Sequence, residues 1–190
     1  MDLRDFAGKR FRVDDDIELR HWTELDAEVV YELVKRNYEH LRTFMEWVKP
    51  DHSLVDYEKF VEREIRGTAE NERLGFGIYR GDGLIGTIGL INFDHDAKVT
   101  EIGYWIDAAE EGKGIVSKAC RKLIDFVFGE LAMNRIQIRC AAPNFRSGAI
   151  PERFGFTREG TQRQHVLRDG KLMDFVTYGL LASEWNQIDE

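Results

Sequence analysis

Glu110-Glu111-Gly112-Lys113-Gly114-Ile115-Val116 is the stretch of this 190-residue chain whose residue types and spacing point most directly to chemistry. It joins an apolar-alternating stretch, Val99 to Ile106, to an amphipathic one that begins near Ser117. Glycine lets the backbone come close to a ligand, and the first N–H groups of a helix have no partner inside it. A strand, a Gly-x-Gly turn and a helix start in that order are ready to hold phosphate. The charges add a second clue: Lys113, Lys118, Arg121 and Lys122 gather at a helix end that normally disfavours cations, a conflict that a bound anion would resolve. The other reading is a tight turn with solvated lysines. Nucleotide motifs fit less well, since Gly112-Lys113-Gly114 lacks the Ser or Thr of a P-loop and no Gly-x-Gly-x-x-Gly is present.

Other reactive residue types are sparse. Cys120 and Cys140 are too few for a disulfide framework and form no Cys-x-x-Cys pair. Cys140 alternates with Ile136 and Ile138 on an apolar face, where a cysteine acts as a small inert hydrophobe rather than a nucleophile. The five histidines never recur at a spacing that would place two on one helix face for a metal. Asp94-His95-Asp96 fits a polar hairpin tip better than a ligand set, and no metal is expected. The net charge of −8 argues against nucleic acid as the main partner and gives a weak preference for a cationic substrate.

The elements that position these residues follow from periodicity. Ile17 to His21 alternates as a strand, and Leu25 to Asn37 and Leu54 to Arg66 are amphipathic helices separated by the aromatic, irregular stretch Leu41 to Val48. Gly75 to Tyr79, the turn Gly81-Asp82-Gly83 and Leu84 to Leu90 form a hairpin. Val99 to Ile106 is a strand, and Ser117 to Leu131 is a helix with Cys120, Leu123, Ile124, Val127, Phe128 and Leu131 on one face. Ile136 to Cys140 is a further strand. A helix from Asn144 to Phe154 and a hairpin turned at Arg168-Asp169-Gly170-Lys171 complete the order. Pro151 removes the N–H that would bond the Ser147 carbonyl and should bend that helix. The expected fold is α+β: a mixed, mostly antiparallel sheet flanked by helices, with one parallel crossover at Ile106–Ile136. No linker divides residues 1–190, so one domain is expected. No apolar run is long enough to span a membrane, and Met1 to Phe11 has no apolar stretch of the kind that a signal peptide or anchor needs. The cytoplasm is the expected location.

Glu101-Ile102-Gly103-Tyr104-Trp105-Ile106, Glu111-Gly112-Lys113-Gly114, the pair Asn144 and Ser147, and Arg153-Phe154-Gly155-Phe156 occur in an order and spacing that resembles the GNAT N-acetyltransferases. The likeness is greatest to their RimJ/RimL branch, which acetylates protein N-termini. It is strong over the C-terminal half; the first ninety residues match in element order alone. The resemblance implies the GNAT acyl-CoA N-acyltransferase fold and an enzyme that uses acetyl-CoA as co-substrate. It places the cofactor pyrophosphate on backbone N–H groups of Glu111, Gly112, Lys113, Gly114, Ile115, Val116 and Ser117, and pairs the pantetheine arm with Tyr104, Trp105 and Ile106. Asn144 would bond the arm and Ser147 would protonate the leaving thiolate, although Asn and Ser are also preferred helix caps. Val116 departs from the family pattern, which has Gly or Ala there.

Amide formation needs a neutral amine and stabilisation of the departing thiolate. Glu101 matches a catalytic glutamate of some relatives and is the first candidate base, with a cross-strand ion pair as the equal alternative. His165 and Asp174 are weaker candidates. The family shapes its acceptor pocket from the segment corresponding to Asn37 to Val48. The expected acceptor is an amine, first a protein N-terminus, with a polyamine or antibiotic, or a non-catalytic acyl-CoA-binding module, as alternatives. Such enzymes commonly associate, so a homo-oligomer is among the expected partners.

Overall fold

The computed structural model describes residues 2–168 and 170–185. Its eight strands are β1 Arg10–Arg12, β2 Ile17–His21, β3 Leu74–Arg80, β4 Gly83–Asp94, β5 Val99–Ile106, β6 Arg135–Ala141, β7 Thr157–Arg168 and β8 Lys171–Leu181. They form one sheet in the order β1-β2-β3-β4-β5-β6-β8-β7. Neighbours are antiparallel except β5 and β6, the parallel pair expected from the crossover. Its registered pairs are Val99 with Arg135, Thr100 with Ile136, and Glu101 with Gln137. Beyond Glu101, β5 pairs on its other side with β4, from Ile102 opposite Leu90 to Ile106 opposite Gly86.

Among the described residues, six α-helices flank the sheet: α1 Asp26–Arg36, α2 Tyr38–Leu41, α3 Leu54–Ala69, α4 Ile115–Gly129, α5 Phe145–Arg153 and α6 Ala182–Trp185. Helical spacing in α4 buries Ala119, Cys120, Leu123, Ile124 and Val127 against Phe76, Ile78, Ile102 and Ile106. The second core joins Val30, Leu33 and Val34 of α1 to Tyr57 and Val61 of α3, under Tyr79, Leu84 and Trp105. Strand alternation divides the two: Ile102 and Ile106 face the first core, and Trp105 faces the second.

The sequence places the long elements correctly and misses short ones. The charged N-terminus holds a 3₁₀ turn, Leu3–Phe6, whose Leu3 and Phe6 pack against the first core, followed by the edge strand β1. Between Leu41 and Val48 the chain makes turns, as its irregular pattern implies. Helix α4 starts two residues before Ser117, because Gly114 at φ 74° ends the turn directly. Of the expected hairpin turn, Arg168 pairs with Lys171, and Asp169 lies outside the described residues.

Candidate functional site

Where β5 and β6 part, a cavity of about 750 Å³ opens. One wall is the far half of β5, with Tyr104, Trp105 and Ile106. A second is the turn into α4, with Glu111, Gly112, Gly114, Ile115, Val116 and Ser117. The start of α5 supplies a third, with Asn144 and Ser147. These residues, expected at the site from sequence, therefore surround one space. Two others stand apart.

The first is Lys113, which does not line the cavity; its ammonium pairs with Glu110 at 3.1 Å. The rest of the basic cluster is also engaged within the chain. Lys118 reaches Asp14 at 2.6 Å, Arg121 pairs with Asp125 at 3.5 Å and lies over the Trp185 ring, and Lys122 lies 5.9 Å from the centre of the Phe11 ring. The cations at this helix start thus have carboxylate and aromatic partners within the chain. The charge pattern therefore has an explanation inside the chain, and the backbone argument does not depend on it. Gly112 and Gly114 hold φ of 73° and 74°, and a Cβ added at either would meet nothing within 4 Å. The cap residue of α4 is Gly114, with no side-chain hydrogen bond to the helix start. Free space over a left-handed Gly-x-Gly and uncapped N–H groups are what a pyrophosphate requires.

The second is Glu101, also away from the cavity lining. Its carboxylate is buried, accepts hydrogen bonds from Arg139 Nε at 3.0 Å and Asn92 Nδ2 at 2.9 Å, and pairs with Arg139 Nη2 at 2.8 Å. Gln137 Nε2 lies 3.4 Å away. Glu101 therefore ties β4, β5 and β6 together, and the ion-pair alternative describes it. Of the weaker candidates, His165 has its ring tilted against Phe175 at 5.8 Å, and Asp174 accepts from the Gln164 N–H at 2.9 Å; neither lines the cavity.

At the start of α5, Asn144 Oδ1 accepts from the Ser147 N–H at 3.2 Å, the capping role its residue type allows. Ser147 Oγ donates to the Tyr104 hydroxyl at 3.2 Å, and that hydroxyl donates to the Ser147 carbonyl at 3.0 Å. Burial raises the Tyr104 hydroxyl well above its ordinary pKa, so it stays protonated. Cys140 lies behind Gly148, and burial raises its thiol above the usual range, against a hydrogen bond from the Ser147 side chain that lowers it. Val116, the departure from the family pattern, lines the cavity while packing against the first core.

Sequence reasoning did not single out His40 or Arg146, and it gave Arg153 no role beyond its place in a motif. His40, on α2, approaches Glu111 Oε1 at 3.2 Å, and Arg146 of α5 pairs with the other oxygen of Glu111. Burial, then the Arg146 charge, lowers the pKa of His40. Arg153 donates to Ser117 Oγ at 2.6 Å. These contacts join α2, the loop and α5 across long sequence separations, with no local pattern to announce them. The family-shaped segment Asn37 to Val48 does reach the site, through His40, Leu41, Thr43, Phe44 and Met45. Among the described residues no group of His, Cys, Asp and Glu gathers as a metal site, and no helix is long and apolar enough to cross a membrane.

Comparison with known proteins gives this site its context. The acetyltransferase (GNAT) domain family matches residues 16–157. YdaF of Bacillus subtilis (strain 168) is 37% identical over 92% of this chain and 96% of its own length. The ribosomal-protein-serine acetyltransferase of Escherichia coli (strain K12) is 29% identical over 80% of this chain and 86% of its own. Among solved structures, the microcin C7 self-immunity acetyltransferase MccE, in complex with acetyl-CoA and AMP, superposes with a TM-score of 0.83 at 29% identity. It covers 89% of this chain and 94% of its own.

Proposed function

This chain belongs to the acetyltransferase (GNAT) family, and we propose that it moves the acetyl group of acetyl-coenzyme A onto the α-amine at the N-terminus of a protein. One observation carries the assignment of roles: the parted strands, the Gly-x-Gly turn and the start of α5 meet around a single cavity. Acetyl-CoA supplies the acetyl group as an activated thioester. Backbone N–H groups from Glu111 to Ser117 hold its pyrophosphate, and the edge of β5 at Tyr104, Trp105 and Ile106 lines up its arm as an added strand. Asn144, with its oxygen engaged by the Ser147 N–H, keeps its amide hydrogens for a carbonyl of that arm. Ser147 offers its hydroxyl to the departing sulfur. Glu101 takes no part, being held by Arg139 at the root of the strand pair.

An acceptor that needs little help from a base suits such a site. The α-amine has a pKa of about 7.7–8.0 against about 10.4 for lysine, so far more of it is neutral at pH 7. The name of the Escherichia coli relative, a ribosomal-protein-serine acetyltransferase, supports a protein acceptor, and with it our reading of a cytoplasmic place of work. Residues 1–190 act as one domain in this account, since both cores share one sheet. A small-molecule amine such as a polyamine is the second reading, favoured by the acidic net charge of −8. We expect kcat/KM for short peptides with a free N-terminus to exceed that for spermidine, and that for N-terminally blocked peptides carrying lysine, by about tenfold or more. Faster turnover of either competitor would overturn the N-terminal assignment and leave the acetyltransferase activity in place.

A further inference from the structure

We propose that Tyr104 is a positioning residue for Ser147, and that Pro151 is the reason it can be one. This rests on the role given above to Ser147, and on nothing remote from the cavity.

In a regular helix the carbonyl of residue 147 would accept from the N–H of residue 151. Proline has no N–H, so Pro151, buried within α5, leaves the Ser147 carbonyl without its helical donor. A polar group left unpaired in such a place costs about 1–3 kcal/mol, which makes it a strong attractor for any donor within reach. Tyr104 supplies that donor from β5: its hydroxyl gives its hydrogen to the Ser147 carbonyl at 3.0 Å. That hydrogen is then spent. Toward the Ser147 side chain the phenol oxygen can only accept, and it does so from Oγ at 3.2 Å.

Two bonds to one residue therefore fix the hydroxyl of Ser147 at the cavity wall. Tyr104 cannot turn away without stranding the carbonyl, and its ring is held between its backbone pairing to Ile88 and the first core. On the far side of Pro151, Tyr178 donates to Glu152 Oε1 at 3.0 Å and fastens α5 to the sheet a second time. The helix is thus held on both sides of its break, so the bend does not loosen Ser147. Ser147 rests with its hydrogen on Tyr104; when negative charge develops on a sulfur in the cavity, one rotation about its C–O bond redirects that hydrogen. Tyr104 keeps its own proton throughout and acts only through Ser147.

The test is a double-mutant cycle read as separate kcat and KM values under single-turnover conditions, with melting temperatures as the folding control. Tyr104→Phe keeps the ring and removes the hydroxyl. We expect kcat to fall about tenfold, the worth of one hydrogen bond, with KM for acetyl-CoA within about twofold. Ser147→Ala should fall further, about 100-fold. The double variant should be no slower than Ser147→Ala alone, because Tyr104 has no other route to the reaction. Pro151→Ala returns an N–H to the Ser147 carbonyl and releases the Tyr104 hydroxyl, so it should lower kcat by about threefold without lowering stability. Tyr104→Phe at wild-type kcat beside a slow Ser147→Ala would overturn the positioning role and leave Ser147 in place. A double variant slower by the product of both factors would overturn it as well, by giving Tyr104 an action of its own. Ser147→Ala at wild-type kcat would remove the role of Ser147 first, and the inference with it.

Discussion

From Val99 to Glu101 strand β5 is zipped to β6, whereas from Tyr104 to Ile106 it flanks a cavity, and the use made of its side chains changes between them. In the zipped half, Glu101 spends its carboxylate on Arg139 and Asn92. In the open half, Tyr104 and the strand backbone face a space that no other described residue fills. A carboxylate is the more reactive residue type, yet the phenol stands at the site. What decides is which side of the split a residue occupies.

The comparison breaks most sharply at the open half. Gly114→Asp places a carboxylate over the turn, in space that is otherwise empty. Two like charges about 4 Å apart at an effective dielectric near 20 repel by about 4 kcal/mol, less at a partly exposed turn. Acetyl-CoA should bind about 100-fold more weakly by calorimetry, with a nearly unchanged melting temperature, since Asp tolerates the left-handed conformation better than most residues. Unchanged affinity in the folded variant would mean that the turn is not the pyrophosphate site.

How much of this contrast is legible in the sequence depends on range. The alternation of Val99 to Ile106, the glycines at 112 and 114 and the three- and four-residue spacing of α4 are local, and each element lies where its pattern puts it. The split between β5 and β6 is not local. It depends on β6 continuing to pair with β8 as far as Ala141 opposite Phe175, after its pairing with β5 has stopped at Gln137. Some partners of the basic cluster are equally remote, Asp14 lying 104 residues before Lys118, whereas Glu110 and Asp125 lie three and four residues from Lys113 and Arg121. Pro151 announces an unpaired carbonyl at Ser147, but only the fold can say that Tyr104, 43 residues upstream, answers it.

The zipped half predicts a different kind of loss. Glu101→Gln removes the charge that holds Arg139 while keeping the shape. It should cost about 1–3 kcal/mol, the range for disturbing a buried polar contact. For a chain of this size each kcal/mol lowers the melting temperature by roughly 2–4 °C. Because Glu101 does not reach the cavity, kcat below the melting transition should stay within about threefold of wild type. A general base in the same position would instead be worth about 10²–10⁴-fold. A loss of that size in a folded variant would move Glu101 from the structure to the chemistry.

The smallest effect should lie on the second face of the open half. Trp105 alternates with Tyr104, so its side chain enters the second core, where the Trp47 ring meets it at 6.0 Å. Trp47 is 41% exposed and comes from the turns beside Phe44 and Met45, both at the cavity. An aromatic pair of this kind is worth about 0.5–1.5 kcal/mol. Trp47→Ala should therefore raise KM for the acceptor by about three- to tenfold through a looser 43–48 segment. It should leave acetyl-CoA affinity within about twofold, because the backbone of Trp105 is still held by its pairing with Thr87 of β4. If acetyl-CoA affinity falls instead and the acceptor KM does not move, the Trp105 face belongs to the cofactor, and the division of labour across this strand is drawn in the wrong place.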